Sequence, residues 1–287
     1  MKPSRRRFIR QLVPPALVSL LKRAARNPSE LWTPEQAALK ATHEILNTGC
    51  PADAMIVRDG IRIGLHPESR WGFEHFCFIA PEMVAEMDSF VANTKDRSRL
   101  LDIGALHGLF SLVFAASHPG RCAVAVDASP IAFARLLYNI HKNCAANIKP
   151  LECALSDKTG ILTMHYEWEH AVAGGDSLNQ NLLSARMCTG DELCAELGFV
   201  PDTIKIDVEG HEVKVIRGLL ETLNRHEPLI FLEVHPKRIR IEHERAEELA
   251  EIFSRLGYRA EDSAGVRVQL DKLATFTLDE RLVLWPV

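Results

Sequence analysis

The chain has 287 residues, of which 47 % are hydrophobic, 25 % charged and 7 % aromatic. That mix excludes a disordered, collagenous or low-complexity protein, the length buries a sizeable core, and no stretch approaches the roughly 18 apolar residues of a membrane-spanning helix. The formal charge of −4 is unevenly spread: residues 1–29 hold eight bases and no acid, and the other 26 bases and 38 acids put the rest at −12. The head comes first. Ser4-Arg5-Arg6-Arg7-Phe8-Ile9-Arg10 has the look of a twin-arginine export signal, yet no small-x-small cleavage site follows it. From Pro14-Pro15, Leu17, Leu20, Leu21 and Ala24 recur at helical spacing. Ser19, Lys22, Arg23 and Arg26 repeat that spacing about 200° round the wheel. One face is apolar and the other basic, the build of a helix lying on anionic lipid; a helix packed on its own domain with a solvated basic face reads the same way. The expected organisation is a basic helical extension over 1–47 and a main domain over 48–287. Residues 1–26 are expected to make a peripheral membrane contact, and the acidic body implies no nucleic-acid partner.

Further helix is predicted from Pro34 to Leu46, and Asp59-Gly60 marks a hairpin. Ala80 to Val91 reads as an amphipathic helix. From there strand and helix alternate. Strands are predicted at Arg99–Ile103, Cys122–Val126, Ile148–Ala154, Ile161–Tyr166, Thr203–Val208, Leu229–Val234, Tyr258–Glu261 and Arg281–Trp285. Helices are predicted at His107–Ser117, Pro130–Asn143, Asp191–Leu197, Glu212–Leu223 and Glu242–Leu256, with Glu167 to Ser184 irregular and polar. The alternation implies an α/β fold, doubly wound around a mostly parallel sheet. Seven cysteines, odd in number and without a Cys-x-x-Cys pair, read as reduced thiols of a cytoplasmic protein.

Ligands of such sheets bind beyond the carboxyl ends of the strands, at the switch point. There the first strand ends at Asp102, and the turn runs Gly104-Ala105-Leu106-His107-Gly108. Gly104 allows a tight turn and Gly108 a close approach, but the Gly that would meet a pyrophosphate is missing. A nucleoside without phosphates fits better than NAD. Asp127 ends the second strand, where an acid accepts from ribose hydroxyls; Asp127-Ala-Ser129-Pro130 also makes a good helix start. Ser156-Asp157 ends the third, where Asp157 suits an adenine amino group or a plain turn. The fourth ends Asp207-Val208-Glu209-Gly210-His211-Glu212 and the fifth Glu233-Val234-His235, gathering carboxylates and imidazoles. His211 or His235 suits a general base, Glu209 or Glu233 can orient it or bind substrate hydroxyls, and Asp207 and Glu212 serve equally as helix caps. A divalent metal is the rival use of this cluster, and none is expected.

Leu100–Leu112, Val124–Pro130, Ala154–Gly160, Ile204–Leu219 and Pro228–His235 together resemble the FkbM-type class I S-adenosylmethionine-dependent methyltransferases, and the likeness spans roughly 55–262. The resemblance implies a Rossmann-like seven-stranded sheet with one antiparallel strand, S-adenosyl-L-methionine as cofactor, and O-methylation of a small-molecule or glycan hydroxyl. It implies cofactor contacts from Asp102, Gly104, Gly108, Asp127, Ser156, Asp157 and Asp207, and pocket closure by Trp71-Gly72-Phe73-Glu74. Relatives carry Asn-Ile or Asn-Val where this chain has Leu106-His107. The alternatives are an NAD-dependent oxidoreductase and a catalytically idle methyltransferase-like binding protein. The Gly-rich stretch His170 to Gln180 reads as a lid or a surface loop.

Overall fold

A run such as Leu229–Val234, in which all six residues are buried, needs cover on both faces, and a parallel sheet between helix layers supplies it. The computed structural model describes residues 54–56, 60–167, 170–173 and 182–287. The basic head, the helix predicted to Leu46 and the boundary at 47/48 lie outside them. The first strands, β1 (Ala54–Ile56) and β2 (Arg62–Gly64), pair antiparallel, as the hairpin signal requires. Next come β3 (Arg99–Ile103), β4 (Cys122–Asp127), β5 (Ile148–Glu152), β6 (Ala154–Leu155), β7 (Gly160–Glu167), β8 (His170–Ala173) and β9 (Leu182–Cys188). The chain closes with β10 (Thr203–Ile206), β11 (Leu229–Val234), β12 (Tyr258–Asp262), β13 (Arg267–Val268) and β14 (Glu280–Pro286).

The main sheet has the order β13-β12-β14-β11-β10-β3-β4-β5. Strands β5, β4, β3, β10 and β11 run parallel, and β14 is reversed between β11 and β12. This is the doubly wound sheet of seven strands with one antiparallel member, extended by the two-residue edge strand β13. The helices are α1 (Arg70–Glu74), α2 (Pro81–Asn93), α3 (Leu109–Ser117), α4 (Pro130–Lys142), α5 (Gly190–Leu197), α6 (Glu212–Arg217), α7 (Leu220–His226), α8 (Pro236–Ile241) and α9 (Ala246–Arg255). Local chemistry starts them cleanly. Ser129 caps α4 by accepting from the Ala132 amide with Pro130 in the first turn, and Thr189 and Glu192 form a capping box on α5. Phe90 of α2 joins the layers, its ring 5.0 Å from those of both Phe110 and Phe231.

Four predicted elements differ from the sequence reading. The strand expected over Ile148–Ala154 divides at Cys153: β5 stays in the main sheet, while β6 joins a second sheet of order β6-β9-β7-β8. The stretch expected to be irregular, 167–184, contributes β8 and the start of β9 to that sheet, because β9 pairs with β7 across a long connection. The helix expected over Glu212–Leu223 breaks into α6 and α7 at Gly218, where a Cβ would stand 2.0 Å from the Ser156 carbonyl oxygen. The helix expected from Glu242 begins four residues later, because His243 adopts a left-handed φ of 60°. That break leaves Glu242 free to reach another element.

Candidate active site

The carboxyl ends of β3, β4 and β10 and the wall made by β7 line an open cleft. Gly104 forms its floor. At φ 77°, a Cβ there would stand 1.7 Å from the Asp207 carbonyl oxygen, so the two strand ends touch backbone to backbone. Asp127 lies at the second strand end. Its Oδ2 accepts from the Leu106 amide at 2.7 Å and its Oδ1 from the Ser129 amide at 2.8 Å, which fixes the carboxylate against the cleft. Both oxygens keep a further lone pair for a ligand's hydroxyls. Burial pushes Asp127 up to about 7 against the pull of those two bonds. Leu106, whose amide makes one of them, sits at φ 47°, a conformation that suits Asn far better than Leu.

Not every expected cofactor contact lines this cleft. Asp102 is buried beneath it and accepts from the Ser111 amide at 3.2 Å and hydroxyl at 2.7 Å, tying β3 to α3. Burial pushes Asp102 up to about 6, with Ser111 opposing. Gly108 caps α3 without reaching the cleft lining. Ser156 and Asp157 also stand back from it, and Cys153, Ala154 and Leu155 take their place. The Ser156 hydroxyl hydrogen-bonds His211 Nε2 at 3.0 Å, while His211 Nδ1 hydrogen-bonds Glu242 at 2.8 Å. Engaged at both ring nitrogens, His211 positions β6 against α6. Glu242 is held below the usual carboxylate range, since His211 and Lys214 outweigh its burial. Asp157 lies 3.7 Å from Arg217. Trp71 is 69 % exposed and Phe73 is in the core, so the Trp71–Glu74 segment does not close the pocket. Of the stretch read as a lid, 170–173 form β8 and the remainder lies outside the described residues.

The other end of the cleft is ionic. Asp207 and Glu209 line it, and Glu209 is held at φ 53°, a left-handed conformation that costs a residue of this type about 1–2 kcal/mol. Strain of that kind is kept where a side chain must be aimed. Arg238 holds Glu209 at 2.9 Å. Glu212 is fully buried, and its Oε1 accepts from the Gly210 amide at 2.9 Å and from His235 Nδ1 at 2.7 Å. Nε2 of His235 thereby points at Glu209 (3.6 Å), Asp207 (3.8 Å) and Glu233 (3.8 Å). Behind them, buried Lys205 sits 3.1 Å from Glu86 and 3.6 Å from Asp207, and Arg281 bridges Glu86 and Glu233 at 2.7 Å each. Burial alone would lower His235, but the Glu212 bond and the nearby carboxylates raise it to about 10 in the ligand-free protein. Burial, then Asp207, push Glu233 up to about 9 against Lys205 and Arg281. Lys205 is held above its ordinary value, Glu86 and Asp207 outweighing its desolvation.

The expected catalytic group therefore divides. His235, Glu209 and Glu233 come together, Glu209 alone of the three lining the cleft, whereas His211 lines the cleft too but is engaged by Ser156 and Glu242. Glu86, Arg238, Glu242 and Arg281 are partners that the sequence reading missed. Lys205, in the middle of the buried run Thr-Ile-Lys-Ile, was the available signal, since a lysine there requires acids around it.

A doubly wound sheet with one reversed strand, a backbone-tight glycine turn and an acid closing the second strand make this a class I methyltransferase, and S-adenosylmethionine is its cofactor. The cleft fits that molecule: Asp127 is set for ribose hydroxyls, Cys153 to Leu155 offer an apolar bed for a base, and the acids at Asp207 and Glu209 suit a sulfonium. The methyltransferase FkbM domain model matches residues 102–260, and the chain belongs to that family. Membership removes the NAD-dependent reading.

Among curated proteins, the chain is similar to hexuronic acid methyltransferase AglP of Haloferax volcanii, 30 % identical over 115 residues that cover 39 % of this chain and 46 % of that one. It is also similar to methyltransferase sdnD of Sordaria araneosa, 31 % identical over 90 residues, or 31 % and 35 % of the two chains. The chain thus spans less than half the length of these relatives. Among solved structures, methyltransferase FkbM from Methylobacillus flagellatus KT aligns at TM-score 0.45 with 12 % identity, over 94 % of this chain and 59 % of that one. TYW2 of M. jannaschii in complex with AdoMet aligns at 0.40 with 13 % identity, over 82 % and 86 %.

Proposed function

We propose that the protein is an O-methyltransferase, moving the methyl group of S-adenosylmethionine to a hydroxyl of a small molecule or glycan. One observation carries the reading: His235, its Nδ1 fixed by Glu212, holds Nε2 3.6 Å from strained Glu209, which lines the cofactor cleft. Transfer to oxygen needs alignment and removal of one proton. The acceptor oxygen forms a bond to the methyl carbon as the carbon–sulfur bond breaks, and the hydroxyl proton passes to Nε2. In the ligand-free protein that nitrogen is protonated. A cationic cofactor beside it disfavours a second positive charge, which frees Nε2 to act as base. Glu209 and Asp207 orient the acceptor's hydroxyls.

The relative named for hexuronic acid supports a sugar acceptor, and such a sugar carries both hydroxyls and a carboxylate. The site favours the hydroxyl: an anionic acceptor would enter beside Asp207 and Glu209 and be repelled. The test is methyl transfer from labelled cofactor to a panel of neutral sugars and hexuronic acids. An alkali-stable ether is the expected product. An alkali-labile ester would overturn the hydroxyl assignment, and no transfer to any acceptor despite tight cofactor binding would support the idle reading.

The basic head over 1–26 is proposed as a peripheral tether to anionic lipid on the cytoplasmic side. Among the described residues no helix is long and apolar enough to cross a membrane. Deleting 1–26 should abolish sedimentation with anionic vesicles; unchanged sedimentation would refute the tether.

A further inference from the structure

We propose that Cys153 and Cys188 are a redox-active thiol pair, converted by a hydroperoxide to a disulfide at the edge of the cofactor cleft. Both are free thiols, half-buried and packed against the main core. The fold brings them together from distant positions in the chain. Parallel pairing of β6 with β9 sets Leu155 opposite Cys188, so Cys188 lies on the face shared by Leu155 and, two residues before it, Cys153. The two thiols hydrogen-bond each other there. Cys153 also lines the cleft, in the apolar bed offered to the base.

Their surroundings give the two sulfurs different tasks. The bond with Cys153 holds the Cys188 thiol below its ordinary range against its own burial; Arg186 adds to the pull, and Glu192 and Glu196 oppose it. The same bond, then burial, push Cys153 up. Thiolate is the form that attacks, so Cys188 is the sulfur that meets the oxidant. It bonds to one peroxide oxygen as the O–O bond breaks, leaving a sulfenic acid and a hydroxide that takes up the thiol's proton. Cys153 then attacks that sulfur, the S–S bond forms as the S–O bond breaks, and a second water leaves. Two thiols lose two electrons and two protons, and hydrogen peroxide becomes two waters. A dithiol reverses the bond by exchange.

Cys194 on α5 is the rival partner for Cys188. Burial pushes its thiol up to about 11, and it is hydrogen-bonded to Thr222, so it is both less reactive and already engaged. The disulfide closes residues 153–188 into a covalent loop, and that loop carries the Leu162 and Met164 wall. It also reaches the cofactor. Cys188 is not among the residues lining the cleft, so a bond to it draws the Cys153 sulfur out of the bed and removes a soft contact from the base.

The experiment uses the full chain, reduced, treated with a small excess of hydrogen peroxide and mapped by mass spectrometry of its peptides without reductant. A Cys153–Cys188 bond is expected, lost again on adding dithiothreitol. Cys153→Ser should stop at a Cys188 sulfenic acid, trapped by a 1,3-diketone, whereas Cys144→Ser, at an exposed cysteine, should leave the bond unchanged. Calorimetry should find S-adenosylhomocysteine bound roughly threefold more weakly by the oxidised chain, the size of one lost sulfur contact. Absence of the bond, or a Cys188–Cys194 bond in its place, overturns the pair; equal affinity in the two forms overturns its link to the cofactor. The wild-type map decides alone if the variants do not fold. None of these readouts involves methyl transfer, so the thiol pair and the transferase reading fail separately.

Discussion

The two ends of the cleft hold their acids by opposite means. At the β3–β4 end, Asp102 and Asp127 are fixed by amides and a hydroxyl no more than 21 residues away. At the β10–β11 end, acids are fixed by cations and an imidazole, with Glu86 and Arg281 meeting across 195 residues. Neutral donors hold a carboxylate in place without cancelling its charge, which suits a permanent part of a cofactor bed. Charged partners make a group whose members titrate together, which suits proton traffic and a changing guest.

That contrast can be broken, most severely at Lys205. Lys205→Met strands Glu86, Asp207 and Glu233 without their central cation, and chemical denaturation should show a loss of about 3–5 kcal/mol. Adding Glu86→Gln should recover part of it, as coupled groups do; a neutral Lys205→Met would mean the ionic end is not one network. His235→Gln should slow methyl transfer about 10²-fold or more while calorimetry finds S-adenosylhomocysteine bound as tightly as before. Equal losses in both would place His235 in the cofactor bed after all.

The other end should show the reverse. Asp127→Ala should weaken S-adenosylhomocysteine about 10–100-fold, from the loss of hydrogen bonds worth roughly 1.5–3 kcal/mol. Asp127 is raised from 3.8 to about 7 in the free protein, and its ionised form is the better acceptor, so affinity should rise from pH 6 to pH 8 in the wild type only. The same shift fixes the sign for stability. Burial of Asp102 and Asp127 favours their protonated forms, a contribution present below 3.8 and lost as pH rises through about 6 and 7. The melting temperature of the ligand-free protein should therefore fall between pH 5 and pH 8. The smallest effect is Leu106→Asn, which relieves a left-handed leucine and should gain about 1 kcal/mol in thermal unfolding.

The same division governs what could be read from residues alone. Alternating apolar runs and caps such as Ser129-Pro130 are local, so the main sheet, most helices, and the placement of Gly104, Asp127, Asp207 and Glu209 at strand ends were legible. Glu86, Arg238 and Arg281 were not, because only folding brings α2, α8 and β14 to β10 and β11. Asp102 was placed at the right strand end but given the wrong task, since Ser111, nine residues on, claims it. Ser156 and Asp157 stand back from the cleft for another reason: the chain bends out of the main sheet at Cys153, three residues before they are reached. Glu212, read as a helix cap, does accept the Gly210 amide and also anchors His235.

That bend at Cys153 reaches beyond the missed contacts. The chain leaves at Ala154-Leu155 and returns beside the same two residues at Met187-Cys188, so everything between departs from and re-enters the fold at one doorway. Leu162 and Met164, inside that excursion, form one wall of the cleft, while Gly104 and Asp127 stay on the frame. The excursion thus gives the cleft a wall without adding a strand to the main sheet.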